Sequence, residues 1–178
     1  MILRTITEND FTYIIRHSKP EDFEQVFQIW YDNQVTSLNR DIKNNLLLYK
    51  NRFQNNFKNQ DGNFKFWVAE YDSIIIGFQS SNRTESNPVV TNEQAESSTY
   101  IKIGFGGKNI GYNIMKICLE ELINTEIMLF YGKIIITNIA MIKIVEKLGW
   151  IKIGVTPESI KYPKFPKSLL YVYNVPEK

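Results

Sequence analysis

The stretch from Thr99 to Leu122, TYIKIGFGGKNIGYNIMKICLEEL, constrains the fold of this 178-residue chain more than any other. It opens with a strand pattern, passes through a loop containing Gly104, Gly106 and Gly107, and continues with apolar residues at helical spacing. The first turn of a helix presents N–H groups without partners inside the helix and carries the positive end of the helix dipole. Because glycine has no Cβ, an anion can approach such a turn closely. The segment therefore predicts a strand, an anion-binding loop and a helix in succession.

Two common nucleotide-binding loops do not fit this segment. A Walker A loop requires Ser or Thr after Gly107-Lys108, and Asn109 stands there. A dinucleotide-binding fingerprint that starts at Gly104 would require glycine at position 109, and it normally lies in the first strand–helix turn of a domain. Taken alone, the loop is equally compatible with a turn whose glycines serve packing.

The remaining pattern predicts one α/β (α+β) domain over residues 1–178, with a mixed, mostly antiparallel central sheet of about seven strands flanked by helices. The predicted strands are residues 11–18, 64–71, 74–81, 95–103, 131–137, 150–160 and 168–175. The predicted helices are residues 19–34, 39–57, 107–122 and 138–149.

Charge and rare residues exclude several classes of function. The net charge is +2 and the basic residues form no long block, so we expect no nucleic-acid partner. A single cysteine, Cys118, and a single histidine, His17, exclude a disulfide framework and a Cys-rich or multi-His metal site, and we expect no metal. No apolar run approaches the roughly 18 residues of a membrane helix, and MILRTITEND has no secretory signal pattern. A cytoplasmic protein that does not bind a membrane is the expectation.

A second segment, IIITNIAMIKIVEKLGWIKIG at residues 134–154, makes the prediction more specific than the glycine loop alone allows. Together the two segments resemble the GNAT superfamily of acetyl-CoA-dependent N-acetyltransferases, whose loop is often written R-G-K-G-I-G. Gly107, Lys108, Ile110 and Gly111 match that loop, and Gly106 stands at the usual Arg or Gln. Asn109 replaces a glycine, which is tolerable because Asn adopts the left-handed backbone region more readily than most residues.

The downstream pattern N-x-x-A-x-x-x-Y-E-K-L-G-F of the superfamily appears here as NIAMIKIVEKLGW. Asn138 and the run Glu146, Lys147, Leu148, Gly149 match, and Trp150 takes the place of the terminal aromatic. The early stretch IIRHSKPEDFEQVFQIW also resembles the superfamily's first strand and helix. The resemblance extends from about Thr12 to Tyr173.

The resemblance implies acetyl-CoA as cosubstrate, held where the fourth and fifth predicted strands splay apart. It implies main-chain contacts to the pantetheine arm from Tyr100 and Ile101, and contacts from Asn138 at the end of the fifth strand. An N-cap of the following helix is an equally good interpretation of Asn138, and the two roles are compatible. The implied pyrophosphate cradle consists of Gly106, Gly107, Lys108, Asn109, Ile110 and Gly111.

The implied reaction is direct attack by an amine on the thioester, which requires a base to deprotonate the amine. Glu96 is the candidate base and Glu93 the second choice, although Glu96 is more readily interpreted as a solvated charge at a strand edge. The superfamily often uses the Tyr of its Y-E-K-L-G-F segment as general acid, and Val145 at that position cannot donate a proton. The sequence does not say which of its 10 tyrosines faces the cleft.

Three functions remain open at this stage. The first is an N-acetyltransferase that acts on a primary amine of a small molecule or a protein. The second is a non-catalytic module that binds acyl-CoA or CoA, and the third is an α/β domain for another phosphate ligand. The tryptophans and Cys118 are predicted to be core residues. Residues 161–168 are predicted to be a loop near the acceptor or a simple Pro-containing turn, and the resemblance admits a homodimer.

Overall fold

The computed structural model describes residues 1–38, 42–83, 92–157 and 167–178, and within them eight strands and four α-helices follow one another along the chain. The strands are β1 (Ile2–Glu8), β2 (Phe11–His17), β3 (Phe66–Tyr71), β4 (Ile74–Arg83), β5 (Gln94–Ile101), β6 (Leu129–Ile135), β7 (Ile151–Thr156) and β8 (Ser168–Asn174). The helices are α1 (Phe23–Asp32), α2 (Leu46–Lys58), α3 (Ile110–Leu122) and α4 (Ile139–Lys147).

The eight strands form one sheet in the order β1-β2-β3-β4-β5-β6-β8-β7. Every neighbouring pair is antiparallel except β5 and β6. A parallel pair needs a crossover connection, which the segment containing α3 supplies. The predicted mixed, mostly antiparallel sheet with flanking helices is confirmed.

The first strand of the structure, β1, is missing from the sequence-based prediction. It joins β2 through a two-residue turn, Asn9-Asp10, in which both residues have positive φ angles of 47° and 63°. Such turns match the twist of paired strands, and Asn and Asp tolerate positive φ better than most residues. The Asn-Asp pair was the available signal. Because of β1, the predicted fourth and fifth strands are β5 and β6.

Several predicted bounds differ from the observed ones. Residues 39–41 of the second helix, predicted over residues 39–57, lie outside the described residues, and from residue 42 onward the α-helix begins at Leu46 after a short 3₁₀ turn. The loop helix begins at Ile110 rather than Gly107, because the glycines form the turn before it. The predicted strand 150–160 ends at Thr156, and its residues 158–160 lie outside the described residues, as do residues 161–166 of the predicted acceptor-side loop.

Two apolar cores cover the opposite faces of the sheet. The core on the α3 and α4 side includes Trp67, Cys118 and Trp150, which confirms them as core residues. The core on the α1 and α2 side is mainly aromatic and includes Phe27, Phe66 and Phe78; Trp30 packs against it, partly buried. The central strand β3 contributes to both, because successive side chains of a strand point to opposite faces. None of the helices in the described ranges has the length and apolar character needed to cross a membrane.

Candidate active site

A wedge-shaped gap opens between the two parallel strands. Strands β5 and β6 pair only over residues 94–96 and 129–131, ending at Glu96 opposite Tyr131. Beyond that point β5 continues to pair with β4, and β6 continues to pair with β8. The expected splay of these two strands is therefore present, and one edge of β5 faces the gap.

The antiparallel register with β4 decides which main-chain groups of β5 face the gap. Lys102 donates its N–H to the Ile76 carbonyl at 2.9 Å, and hydrogen-bonded pairs alternate along an antiparallel ladder. Tyr100, two residues earlier, therefore directs its main-chain groups toward β4. Thr99 and Ile101 direct theirs toward the gap, which moves the expected main-chain contact from Tyr100 to Thr99. The alternation of the predicted strand carried no information on this register.

Asn33 occupies one of the main-chain groups on this edge. The side chain of Asn33, in the short π-helical turn after α1, donates from Nδ2 to the Ile101 carbonyl at 3.0 Å. The Ile101 N–H and the main-chain groups of Thr99 remain for a bound molecule. No sequence pattern indicates Asn33, because only the packing of α1 on the sheet brings it to β5.

The glycine loop faces open space at the wide end of the gap. Gly107 has φ 77°, in the left-handed region, and a Cβ built on Gly106 or Gly107 would meet nothing within 4 Å. The hydrogen-bond ladder of α3 begins with Asn113 N–H to the Asn109 carbonyl at 2.9 Å. The preceding amides, including that of Gly111, therefore have no partner within the helix. Open space and main-chain donors thus occur together at the start of α3, and anion binding there stays a prediction.

Asn109 links the loop to the first hairpin. It has φ 52°, the left-handed conformation expected for it, and its Nδ2 donates to Glu8 Oε2 at 2.8 Å. Asn113 Nδ2 donates to the other Glu8 oxygen at 2.9 Å. The sequence does not predict this anchor, because β1, which carries Glu8, is not among the predicted strands. Lys108 places its ammonium 4.5 Å from the centroid of the Phe11 ring, beside the loop rather than in the cleft wall.

A cleft of about 570 Å³ lies in front of the loop and brings most of the predicted cofactor residues together. The predicted residues along its wall are Tyr100, Ile101, Gly106, Gly107, Asn109, Ile110, Gly111 and Asn138. Asn138 is also the N-cap of α4, and its Oδ1 accepts the Met141 N–H at 3.2 Å. Among the described residues no group pairs with Asn138 Nδ2, so capping and ligand binding are compatible.

A smaller cavity of about 220 Å³, here called the gap cavity, fills the narrow end of the wedge. Val145 and Trp150 form part of its wall, and Gly132 of β6 approaches the Trp150 ring so closely that a Cβ would lie 3.1 Å from Cζ3. Trp150 Nε1 is buried without a hydrogen-bond partner in the described part of the chain. Val145 is 1 % exposed and offers only methyl groups.

Glu96 and Tyr100 lie where the gap cavity meets a second cavity on the other face of the sheet. This second cavity, of about 580 Å³, is here called the aromatic pocket and includes the rings of Trp30, Phe53, Phe66, Phe78 and Tyr100. Glu96, Ser98 and Tyr100 border both cavities. The Glu96 side chain is exposed, and the Tyr100 hydroxyl accepts a hydrogen bond from Gln34 Nε2 at 3.1 Å. A carboxylate and a phenol thus lie at the junction of the two cavities.

The sequence model of the acetyltransferase (GNAT) domain family matches residues 12–151 of the chain. No curated protein matches its sequence.

Many solved structures share this architecture. A phosphinothricin acetyltransferase of the GNAT superfamily from Sinorhizobium meliloti, in complex with acetyl-CoA, has a TM-score of 0.74 and 13% identity, with 92% of this chain and 88% of that chain covered. An N-acetyltransferase from Staphylococcus aureus has a TM-score of 0.72 and 18% identity, with 92% and 99% covered. A ribosomal-protein-alanine N-acetyltransferase from Brucella melitensis has a TM-score of 0.70 and 19% identity, with 90% and 98% covered. At these identities the likeness establishes a shared fold and leaves the acceptor open.

Proposed function

The chain belongs to the GNAT acetyltransferase family, and on that premise we propose that it transfers an acetyl group from acetyl-CoA to a primary amine. The observation that carries the proposal is the β5–β6 gap, which has an open glycine loop at its wide end and a carboxylate at its narrow end. Acetyl-CoA is a long molecule with a diphosphate in its middle and a thioester at one end. Along the gap, the amides of the glycine loop would face the diphosphate, the main chain of β5 would face the pantetheine arm, and Glu96 would lie near the thioester.

The residues present fit the diphosphate and the pantetheine arm. The open space in front of Gly106 and Gly107 leaves room for phosphate oxygens, and the unpaired amides of the first turn of α3 would donate to them. The absent Arg or Gln at position 106 removes one side-chain contact and leaves this main-chain cradle intact. The main chain of Thr99 and the Ile101 N–H would hold the arm, and Asn138 Nδ2 would donate from the opposite wall.

The bound cosubstrate supplies an activated acyl thioester. Glu96 would accept the proton that an ammonium must lose before its nitrogen can attack, directly or through a water. Tyr100 would supply a proton to the departing sulfur, in place of the tyrosine that Val145 replaces. Because both residues border the gap cavity and the aromatic pocket, an amine in the pocket lies near both.

Ligand binding and turnover test this function separately. Acetyl-CoA at a concentration 100 times its Kd should raise the free energy of unfolding by about 2.7 kcal/mol, measured as an increase in Tm. Release of free CoA in the presence of a panel of primary amines should follow the amine concentration. An unchanged Tm at millimolar acetyl-CoA would contradict both binding and transfer.

A second candidate function is a module that binds acetyl-CoA or CoA without turnover. Val145 and Gly106 favour it, because each replaces a side chain that catalytic members of the family often use. A raised Tm with acetyl-CoA, combined with no CoA release for any amine of the panel, would favour this alternative over the enzyme.

A further inference from the structure

The aromatic pocket is lined by rings from α1, α2 and the sheet. It lies between the sheet and the helices α1 and α2, on the face opposite α3 and α4. Trp30 comes from α1 and Phe53 from α2, and their ring centroids are 5.6 Å apart. Phe78 and Tyr100 are neighbours on β4 and β5, with ring centroids 5.4 Å apart. Trp30, Phe53 and Tyr100 are half-buried and present ring surface to the pocket, whereas the Phe66 and Phe78 rings are buried behind them.

The charges of the described residues along the pocket are unbalanced. Arg83 is its one cation, and the Arg83 guanidinium is already paired with the Asp61 carboxylate and donates to the Asn59 carbonyl at 3.1 Å. Its Cζ also lies 4.2 Å from the centroid of the Phe64 ring. Glu96 has no cationic partner in the described part of the chain. Within the aromatic pocket the unpaired charge is therefore negative, at Glu96, and the nearest cation beyond it is Lys133 in the wall of the gap cavity.

We propose that the acceptor is a primary monoamine with a flat apolar body, of the class represented by 2-phenylethylamine. This inference rests on the proposed function. The body would pack on the rings, and the ammonium would approach Glu96, where attraction between opposite charges is strongest. An amino acid would bring a second carboxylate against Glu96, and a hydroxyalkyl amine would leave the rings without contact. The volume of about 580 Å³ is more than sufficient for a ligand of this size.

The transfer step balances without a further reactant. The ammonium loses one proton to Glu96 and then to solvent, and its nitrogen forms a bond to the acetyl carbonyl carbon. The carbon–sulfur bond breaks, the sulfur takes a proton from the Tyr100 hydroxyl, and the second proton of the amine restores that hydroxyl. The products are the N-acetylamine, the free CoA thiol and one released proton.

A comparison of three amines tests the class. Relative to 2-phenylethylamine, L-phenylalanine adds a carboxylate, and ethanolamine has a hydroxyl in place of the ring. We expect kcat/KM for 2-phenylethylamine, measured by CoA release, to exceed that for either of the others by about tenfold or more. Calorimetry with the same three compounds and the full chain saturated with CoA should give the same order of affinities.

Two exposed asparagines on α2 provide a matched pair of variants. Asn56 borders the aromatic pocket, whereas Asn55 does not. Asn56→Lys should raise KM for 2-phenylethylamine by about three- to fivefold through like-charge repulsion, and Asn55→Lys should leave it unchanged. Neither substitution removes a buried contact, so both variants should fold and bind acetyl-CoA as the unmodified protein does.

A third variant removes part of the apolar wall. Trp30→Ala should lower kcat/KM for 2-phenylethylamine by about tenfold, with little effect on ethanolamine. A merely structural role would lower both rates equally and would also reduce the acetyl-CoA affinity.

The outcomes separate this inference from the proposed function. If ethanolamine or L-phenylalanine is acetylated at least as well as 2-phenylethylamine, the acceptor class is wrong and acetyl transfer stands. If no amine is acetylated but 2-phenylethylamine binds in the expected order, the pocket assignment stands and the catalytic proposal fails. Absence of 2-phenylethylamine binding by calorimetry overturns the pocket assignment whatever the enzyme does. Equal effects of Asn56→Lys and Asn55→Lys would also overturn it.

Discussion

Gly107 is required both for the conformation of the loop and for the proposed binding of the diphosphate. Its φ of 77° is unfavourable for residues with a Cβ, and the space in front of it is open. A side chain at this position would therefore enter the proposed diphosphate site. The glycine itself was evident from the sequence, whereas its left-handed backbone and its exposure to the cleft follow from the folded loop.

A pair of substitutions at Gly107 separates charge from strain. Asp and Asn have nearly equal size, and Asn tolerates positive φ. Gly107→Asp should weaken acetyl-CoA binding at least about tenfold more than Gly107→Asn, because only the carboxylate repels phosphate. Calorimetric Kd values measure this difference. Equal Kd values for the two variants would contradict the loop assignment.

Glu96, in β5, is the candidate base. Glu93, which directly precedes β5, provides a control. We expect Glu96→Gln to lower kcat by about a hundredfold and to remove the fall in kcat at acidic pH that protonation of the base causes in the unmodified enzyme. Glu93→Gln should retain both the rate and the acidic fall. A pH profile of Glu96→Gln that parallels the unmodified enzyme would exclude Glu96 as the base.

Tyr100 is the tyrosine that borders the loop cleft, the gap cavity and the aromatic pocket. Tyr100→Phe should lower kcat by about tenfold and leave the acetyl-CoA Kd unchanged, because it removes the phenolic hydroxyl, with its hydrogen bond from Gln34, and keeps the ring and the main chain. Tyr173→Phe, at a half-buried ring that packs on Trp150, is the matched control. The proposal fails if the two variants have the same kcat.

At the scale of elements, a buried ion network fixes α1 on the sheet. Arg16 of β2 donates to both oxygens of Asp22, at 2.6 and 2.9 Å, and to Glu70 of β3 at 2.6 Å. Arg16 and Asp22 are each 6% exposed. Asp22 also accepts the Lys19 N–H at 2.6 Å, in the turn that precedes α1. The network thus sets the position from which α1 carries Trp30 and Asn33 to the site.

This network makes stability depend on pH in a defined direction. Burial alone would raise the pKa of Asp22, but the hydrogen bonds from Arg16 and Lys19 more than offset burial, so this pKa is lowered. A carboxyl group whose pKa is lower in the folded state stabilises the fold above its unfolded pKa of about 3.9, and that contribution is lost as the pH falls through the folded value.

Asp22→Asn should therefore lower the free energy of unfolding at pH 7 by about 3 kcal/mol, because it leaves Arg16 buried with one partner fewer. The difference from the unmodified protein should shrink as the pH falls below about 4. Urea titrations at several pH values measure it, with Asp32→Asn at the other end of α1 as the control. A constant difference at all pH values would contradict the assigned role of the Asp22 charge.

At the scale of the whole molecule, β5 separates two cavities on opposite faces, and the gap connects them. The core under α3 contains Cys118, which is 0% exposed. Burial, followed by the nearby Glu121 carboxylate, raises the pKa of the Cys118 thiol well above its ordinary value. The thiol is therefore protonated and inaccessible in the folded protein, so a CoA-release assay with a thiol reagent will report CoA alone.

The labelling rate of the Cys118 thiol measures how often the whole molecule unfolds. In native buffer, Cys118 should react with a disulfide reagent only through unfolding, and acetyl-CoA at 100 times its Kd should slow the reaction by about a hundredfold. The absorbance of the released chromophore follows the reaction, and unfolded protein in guanidinium provides the maximum rate. Fast labelling of the folded protein would contradict the burial of Cys118. Labelling that acetyl-CoA does not slow would contradict coupling between cofactor binding and the fold.

The amino-acid sequence alone determined the local elements around the site. The glycine loop, the helix after it, and Asn138 at the start of α4 depend on backbone freedom and on hydrogen bonds within a few residues, so their residue types predict them. The family resemblance added the splay of the two strands, which local patterns do not contain.

The tertiary structure alone decided which groups meet. The register of β4 on β5 turns Thr99 rather than Tyr100 toward the gap, and β1 brings Glu8 to Asn109 from 101 positions away in the chain. The packing of α1 carries Asn33 to β5, and that of both α1 and α2 encloses the aromatic pocket. These contacts join residues far apart in the chain, and their register depends on how the whole sheet and its cores pack, which no short stretch of sequence specifies.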